Sequence, residues 1–216
     1  MNILIAVPSM DTVPAVFAQA LSMLHKVGNC AIAFQVGSLV YTSRNALASR
    51  AIEMGADYVL WLDSDMFFEP DTLERMLKRM QDNDLDFLTG VYYRRGEPYT
   101  PVLNDVLKMN SDEIPIWHDL TELPEEELFE VEGCGFGCVL MKSDVLLDVQ
   151  ATFGDMFSPL HRCGEDLSFC IRARKCGYKI WADSTIPLGH WGHTLINRHY
   201  YDAYRLAKEK DNDRRA

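Results

Sequence analysis

Apolar residues in this chain fall into short unbroken runs, separated by longer segments in which they recur every three or four positions. "NILIAV" (2–7), "CAIAFQV" (30–36), "DYVLWL" (57–62) and "DFLTGVYY" (86–93) are runs of the first kind. A strand buried on both faces reads this way, because neither face is free to carry polar residues. The segments between them predict helices. Residues 13–28 form one, closed by Gly28. Residues 42–55 start on a Thr42 or Ser43 cap, end at Gly55, and put Leu47, Ala51 and Met54 on one face. Residues 70–80 carry Pro70 in the first turn and Asp71 and Glu74 at capping-box spacing. Strand and helix alternate in this way over about the first 95 residues. That alternation predicts an α/β fold with a mostly parallel central sheet flanked by helices.

The pattern loosens from residue 97 to residue 130, where Pro, Asp and Glu are frequent and "ELPEEELFE" forms an acidic patch. This stretch reads as an insertion or a set of short strands near the mouth of a site. A strand and short helix follow at 135–149, a helix at 164–177 closed by Gly177, a strand at 178–183 and a loop, "IPLGHWGH", at 186–193. From Asn197 the chain predicts one terminal helix that frays at its end. There is no internal repeat and no linker, so residues 1–196 read as a single domain and 197–216 as a helical tail.

Composition narrows the partners. The chain has 216 residues, 48% of them hydrophobic, enough for one core of ordinary size. The net charge of -11 repels nucleic-acid backbones and anionic membranes. A nucleotide whose phosphates are screened by a metal stays compatible with it. No apolar segment approaches the length of a membrane span. "MNILIAVPSM" has no basic start and meets Pro8 too early for a signal peptide. The expectation is a cytoplasmic protein. The six cysteines lack the paired spacing of a zinc site, and the chain is too long for a typical secreted disulfide framework.

Candidate chemistry clusters where strands end, the usual place for ligands on such sheets. Pro8 and Ser9 follow the first strand, and Asp63 and Asp65 the third. Asp-x-Asp occurs four times, but only Asp63/Asp65 follows a buried strand. Two carboxylates at such a place repel each other, and a divalent cation or a shared proton relieves the repulsion. In the bland alternative, one caps a helix and the other closes an Asx turn. Glu165 and Asp166 open a predicted helix, where acids either favour the helix dipole or present a general base. Gly164 just before them allows close approach to the backbone. His190, with His193 second, suits manganese, iron or zinc, or serves as a structural hydrogen-bonding residue. Gly133, Gly135 and Gly137 lead into a strand, which is not the dinucleotide fingerprint; close backbone approach explains them better. Arg94 and Arg95 end the fourth strand. Either holds a phosphate or carboxylate, with Arg95 the one more readily explained as a solvated charge.

Taken in order, "ILIAVPSMD", "SRNALASRAIEMGADYVLWLDSDMFF", "TGVYYRRGEPYTP", "VEGCGFGCVLMKSDVL" and "GEDLSFCIRARKCGYKIWADSTIPLGHWG" resemble the GT-A glycosyltransferases, especially the family-2-like, nucleotide-sugar-dependent ones. The likeness runs from Met1 to about His193 and leaves out residues 105–130 and the tail. It implies a GT-A fold and a UDP- or GDP-linked sugar donor. It also implies a manganese or magnesium ion held by Asp63, Asp65 and His190. Pro8 and Ser9 would line the nucleobase pocket, with Arg44 near the nucleotide. Asp166 would be the catalytic base, with Glu165 beside it for acceptor or sugar contacts. The chain lacks the long C-terminal extension of many relatives, which leaves the acceptor side open or built by a homo-oligomer. Two other readings remain: a nucleotidyltransferase on the related fold, for which "AVPSMDTVPA" lacks a glycine-rich basic loop, and a non-catalytic nucleotide- or sugar-binding module.

Overall fold

A computed structural model describes the backbone of residues 1–37, 39–192 and 194–213. The first half alternates as the apolar runs predict. β1 (Asn2–Ser9), α1 (Ala15–Met23), β2 (Asn29–Val36), α2 (Val40–Glu53) and β3 (Tyr58–Leu62) come first. A three-residue strand, β4 (Met66–Phe68), precedes α3 (Thr72–Asp82) and β5 (Phe87–Gly90). Residues 97–130 contain β6 (Leu103–Met109), β7 (Pro115–Asp119) and the start of β8 (Leu128–Val131). Then follow β9 (Gly133–Cys134), β10 (Cys138–Lys142), α4 (Ser143–Phe153), α5 (Glu165–Lys175) and β11 (Ile180–Asp183). The chain ends with β12 (Leu188–Trp191), β13 (Leu195–Ile196) and α6 (Arg198–Asp213).

Seven strands form the central sheet in the order β2-β1-β3-β10-β5-β11-β8. β1 pairs in parallel with both β2 and β3, and β11 with β5. β10 runs antiparallel between β3 and β5, and β8 is antiparallel at the edge. The sheet is thus mostly parallel, and its inner strands are apolar on both faces. Ile3, Ile5 and Leu60 pack on one side, while Leu4, Ala6, Val59 and Trp61 pack on the other. The second layer carries an aromatic nest in which Trp61 meets Phe157 at 5.1 Å and Phe136 at 6.0 Å.

Several local expectations need correction. α2 begins at Val40, so Thr42 and Ser43 lie inside it, and Leu39 holds the cap position. Asp71 precedes α3 without a side-chain cap bond, and Pro70 sits outside the helix. α1 stops at Met23; Gly28 instead makes the left-handed turn into β2, where an added Cβ would lie 2.7 Å from the Met1 carbonyl oxygen. "IPLGHWGH" is not all loop: β12 pairs with β4 and β13 in a small second sheet. Asp211 and Asp213, the last Asp-x-Asp, fall in the helical backbone of α6. The tail helix is docked on the body. Tyr201 is buried, its ring stacks on Tyr93 at 4.7 Å, and its hydroxyl donates to the Thr121 carbonyl.

Candidate active site

The C-terminal ends of β1 and β3, the start of α2 and the start of α5 meet around a cavity of about 290 Å3. Pro8, Ser9, Arg44, Asp63, Asp65 and Glu165 line it, together with Ser64, Met10, Gly37, Val40 and Ser43. Six of the residues singled out in the sequence therefore share one wall.

The twin aspartates do not continue β3 as an extended strand. They sit in a tight turn closed by the Met66 N–H on the Asp63 carbonyl, which reverses the chain into β4. The turn is pinned from the other side, since the Asp63 N–H donates to the Gly137 carbonyl just before β10. Gly137 is required there: an added Cβ would lie 2.6 Å from the Tyr92 ring and 2.9 Å from the Met66 sulfur. The Tyr92 hydroxyl accepts from the Gly137 N–H. Gly135 and Gly137 thus give way to the Tyr92 side chain, while Gly133 makes room for Leu107 and Asn104 of the neighbouring β6.

Each carboxylate is answered by a different cation. Arg44, only 2% exposed, donates from Nη2 to Asp63 Oδ1 at 2.8 Å and from Nε to Glu165 Oε1 at 3.3 Å. Its guanidinium lies over Phe136 and Trp61, with centroid distances of 5.2 and 5.8 Å. Asp65 Oδ2 faces Arg95 Nη1 at 3.0 Å and His190 Nε2 at 3.4 Å. Burial pushes the Asp63 carboxyl above its ordinary range, and nearby Asp65 adds to the shift against the pull of Arg44. Asp65 goes the other way. Its burial is outweighed by the hydrogen bond and charge of His190 and by the charge of Arg95, which hold it below the ordinary range.

His190 is oriented from behind. Its Nδ1 lies 2.9 Å from the Tyr93 carbonyl, which only accepts, so Nδ1 carries a proton and Nε2 is the nitrogen turned to Asp65. β12 supplies this placement through its pairing of His190 with Met66 of β4. His193 lies outside the described residues. Asp65 and His190 face each other, Asp63 is turned to Arg44, and among the described residues no group of three or more His, Cys, Asp or Glu side chains that could hold a metal ion is found, the expected set of Asp63, Asp65 and His190 included.

Glu165 and Asp166 form the first turn of α5, with Gly164 as its cap residue. Asp166 Oδ1 accepts from the Leu167 N–H at 2.7 Å. Burial, then the neighbouring Glu165 charge, push the Asp166 carboxyl up to about 6. A Cβ on Gly164 would come within 2.8 Å of Asp166 Oδ1, so the glycine keeps space for that carboxylate. Arg94 and Arg95 diverge. The turn from Tyr93 to Pro101 sends Arg94 to Asp119 on β7 at 2.8 Å and Arg95 to Asp65. The arginine at the carboxylates is Arg95, which the acidic composition had made easier to dismiss as a solvated charge.

The sequence model for glycosyl transferase family 2 matches residues 32–146, more than half of the chain. The chain belongs to this family. The solved structure of A197 from STIV superposes with a TM-score of 0.61 at 20% identity, covering 91% of this chain and 94% of that one. At that identity the likeness speaks for the fold alone, and the fold is GT-A. Comparison with curated proteins finds no match. No helix among the described residues is long and apolar enough to cross a membrane.

Proposed function

We propose that this family 2 glycosyltransferase is metal-dependent and moves a sugar from a UDP- or GDP-linked donor to an acceptor hydroxyl, with residues 1–196 as the catalytic unit. The observation that carries this reading is the facing of Asp65 Oδ2 and His190 Nε2 across 3.4 Å. Two ligands about 2.0–2.2 Å from one cation, at tetrahedral or right angles, would lie roughly 2.8–3.6 Å apart. A manganese or magnesium ion normally takes only one or two protein ligands and completes its shell with water and substrate phosphate, so a two-residue site suits it. When bound, the ion supplies positive charge to the leaving diphosphate.

The chain's own residues do the rest. Pro8 and Ser9 line the floor on which the nucleoside rests. Asp63, clamped by Arg44, is the carboxylate placed for ribose or metal. Glu165 holds the far end of the same clamp and borders the sugar. Asp166 is the general base. With Oδ1 engaged by the Leu167 N–H, Oδ2 is left to take the acceptor hydroxyl's proton, and a carboxyl titrating at about 6 is a competent acceptor at neutral pH. Arg94, expected at the donor, is instead tied to Asp119 and does not line the cavity.

The test is a thermal-shift screen of UDP, GDP and their sugars with and without manganese. One nucleotide is expected to stabilise the protein only with metal present, by the mass-action linkage of binding to folding. Asp65→Ala is expected to abolish that metal-dependent shift. A shift of the same size in Asp65→Ala removes Asp65 as a ligand, and no shift with any nucleotide sinks the donor assignment.

A further inference from the structure

We propose that Arg95 is a built-in counter-cation for Asp65: it holds the carboxylate when no metal is bound, gives way to the divalent ion, and then grips the donor's phosphates. The inference rests on the metal assignment above and extends it to a residue outside that set. Arg95 Nη1 sits 3.0 Å from Asp65 Oδ2, the same oxygen that His190 Nε2 faces. The guanidinium therefore contacts the oxygen on which a divalent ion would sit. One carboxylate oxygen cannot serve both cations at full strength, and two positive charges sharing it repel each other.

The surroundings are shaped for a side chain that moves. Arg95 is 53% exposed, so its ion pair is screened by solvent and little attraction opposes its release. Its stem lies along the backbone of Gly192, where an added Cβ would come 3.1 Å from Arg95 Cδ. Its other contact, Nη1 on the Trp191 carbonyl, is long at 3.5 Å. Arg44 offers the contrast: buried, doubly bonded and stacked on two rings, it has no room to exchange partners. Arg95 is joined to the cavity through Asp65, which lines it, so a guanidinium released from Asp65 stays within reach of phosphate oxygens bound beside that carboxylate. Planar fork geometry matches such oxygens bidentately.

The test uses the full chain and calorimetric titration of manganese, then of UDP at saturating manganese, on wild type, Arg95→Gln and Asp65→Ala. Arg95→Gln is expected to bind manganese alone about tenfold tighter than wild type. The same variant is expected to bind UDP with manganese about tenfold more weakly. Manganese binding that depends on Asp65 but is equal in Arg95→Gln and wild type overturns the Arg95 proposal and leaves the metal site standing. UDP binding that is unchanged in Arg95→Gln overturns it as well. Manganese binding that survives Asp65→Ala, or is missing from wild type, overturns both.

Discussion

Replacing Arg44 by Met tests the electrostatic logic of the site most directly. Met keeps an apolar stem against Phe136 and Trp61 but leaves Asp63 and Glu165 without their shared partner. Breaking a buried ion pair by removing one member typically costs about 3–5 kcal/mol, because the remaining charge stays in a poor solvent. Here the Asp63 and Glu165 side chains keep 31% and 16% of their exposure, so the cost falls at or below the lower end of that range, about 2–3 kcal/mol at pH 8. For a chain of this size that corresponds to a fall in Tm of roughly 5–10 °C. The pH dependence gives the sharper check. Asp63 already titrates above its ordinary range with Arg44 present, and losing Arg44 raises it further. A raised folded pKa means the variant's native state takes up a proton as pH falls through that value. Its deficit is therefore full at pH 8 and shrinks toward pH 5. Urea unfolding followed by far-UV circular dichroism, in chelator, measures it. A variant within about 0.5 kcal/mol of wild type at pH 8, or a deficit of equal size at both pH values, refutes the reasoning. Adding Asp63→Asn to Arg44→Met is expected to recover part of the loss, as a double-mutant cycle would register.

Asp166→Asn is expected to lower kcat by about 10²–10⁴ with donor affinity retained, and wild-type kcat/KM is expected to fall below pH of about 6 as the base protonates. The raised carboxyl also makes the charged form a cost to folding, present above the folded value and gone below the unfolded one. Asp166→Asn should therefore be more stable than wild type at pH 8, by about 1–3 kcal/mol, and no more stable at pH 4; equal stability at both refutes the buried-charge account. Gly164→Ala, at a backbone position any residue can adopt, is expected to leave Tm near wild type while displacing Asp166 and cutting kcat by about 10²-fold, read from steady-state kinetics against unchanged donor KM.

The parts of the fold that were legible are those where one physical signal dominates. β1, β3 and β5 sit in continuous apolar runs because both faces of the sheet are covered there, whereas β2, at the sheet edge, reads the same although Phe34 and Val36 are exposed. β4, β12 and β13 were not legible, because two to four residues carry no periodicity and "LGHW" mixes glycine with polar and aromatic groups. The antiparallel sense of β10 was equally hidden, since burial on both faces looks the same in either direction. In the site, Pro8, Ser9, Asp63, Asp65 and Glu165 could be placed together from strand ends and family resemblance. Arg95 could not, because adjacent arginines look alike until the turn from Tyr93 to Pro101 sends them apart. Nor does anything local in "TSRNALAS" reveal that Arg44 reaches across to α5, 121 residues further on.

The position of β10 has a bearing on how the chain comes off the ribosome. Its slot lies between β3 and β5, yet it is made well after both. Until residue 142 has emerged, the nascent sheet has a gap at its centre, flanked by two apolar strand edges with unpaired amides. Closing that gap draws the end of β10 against the start of β3, a long loop to shut before any pairing energy returns. Synthesis of the first two thirds of the polypeptide is thus the interval in which a chaperone, or a neighbouring nascent chain, has the most exposed strand to seize.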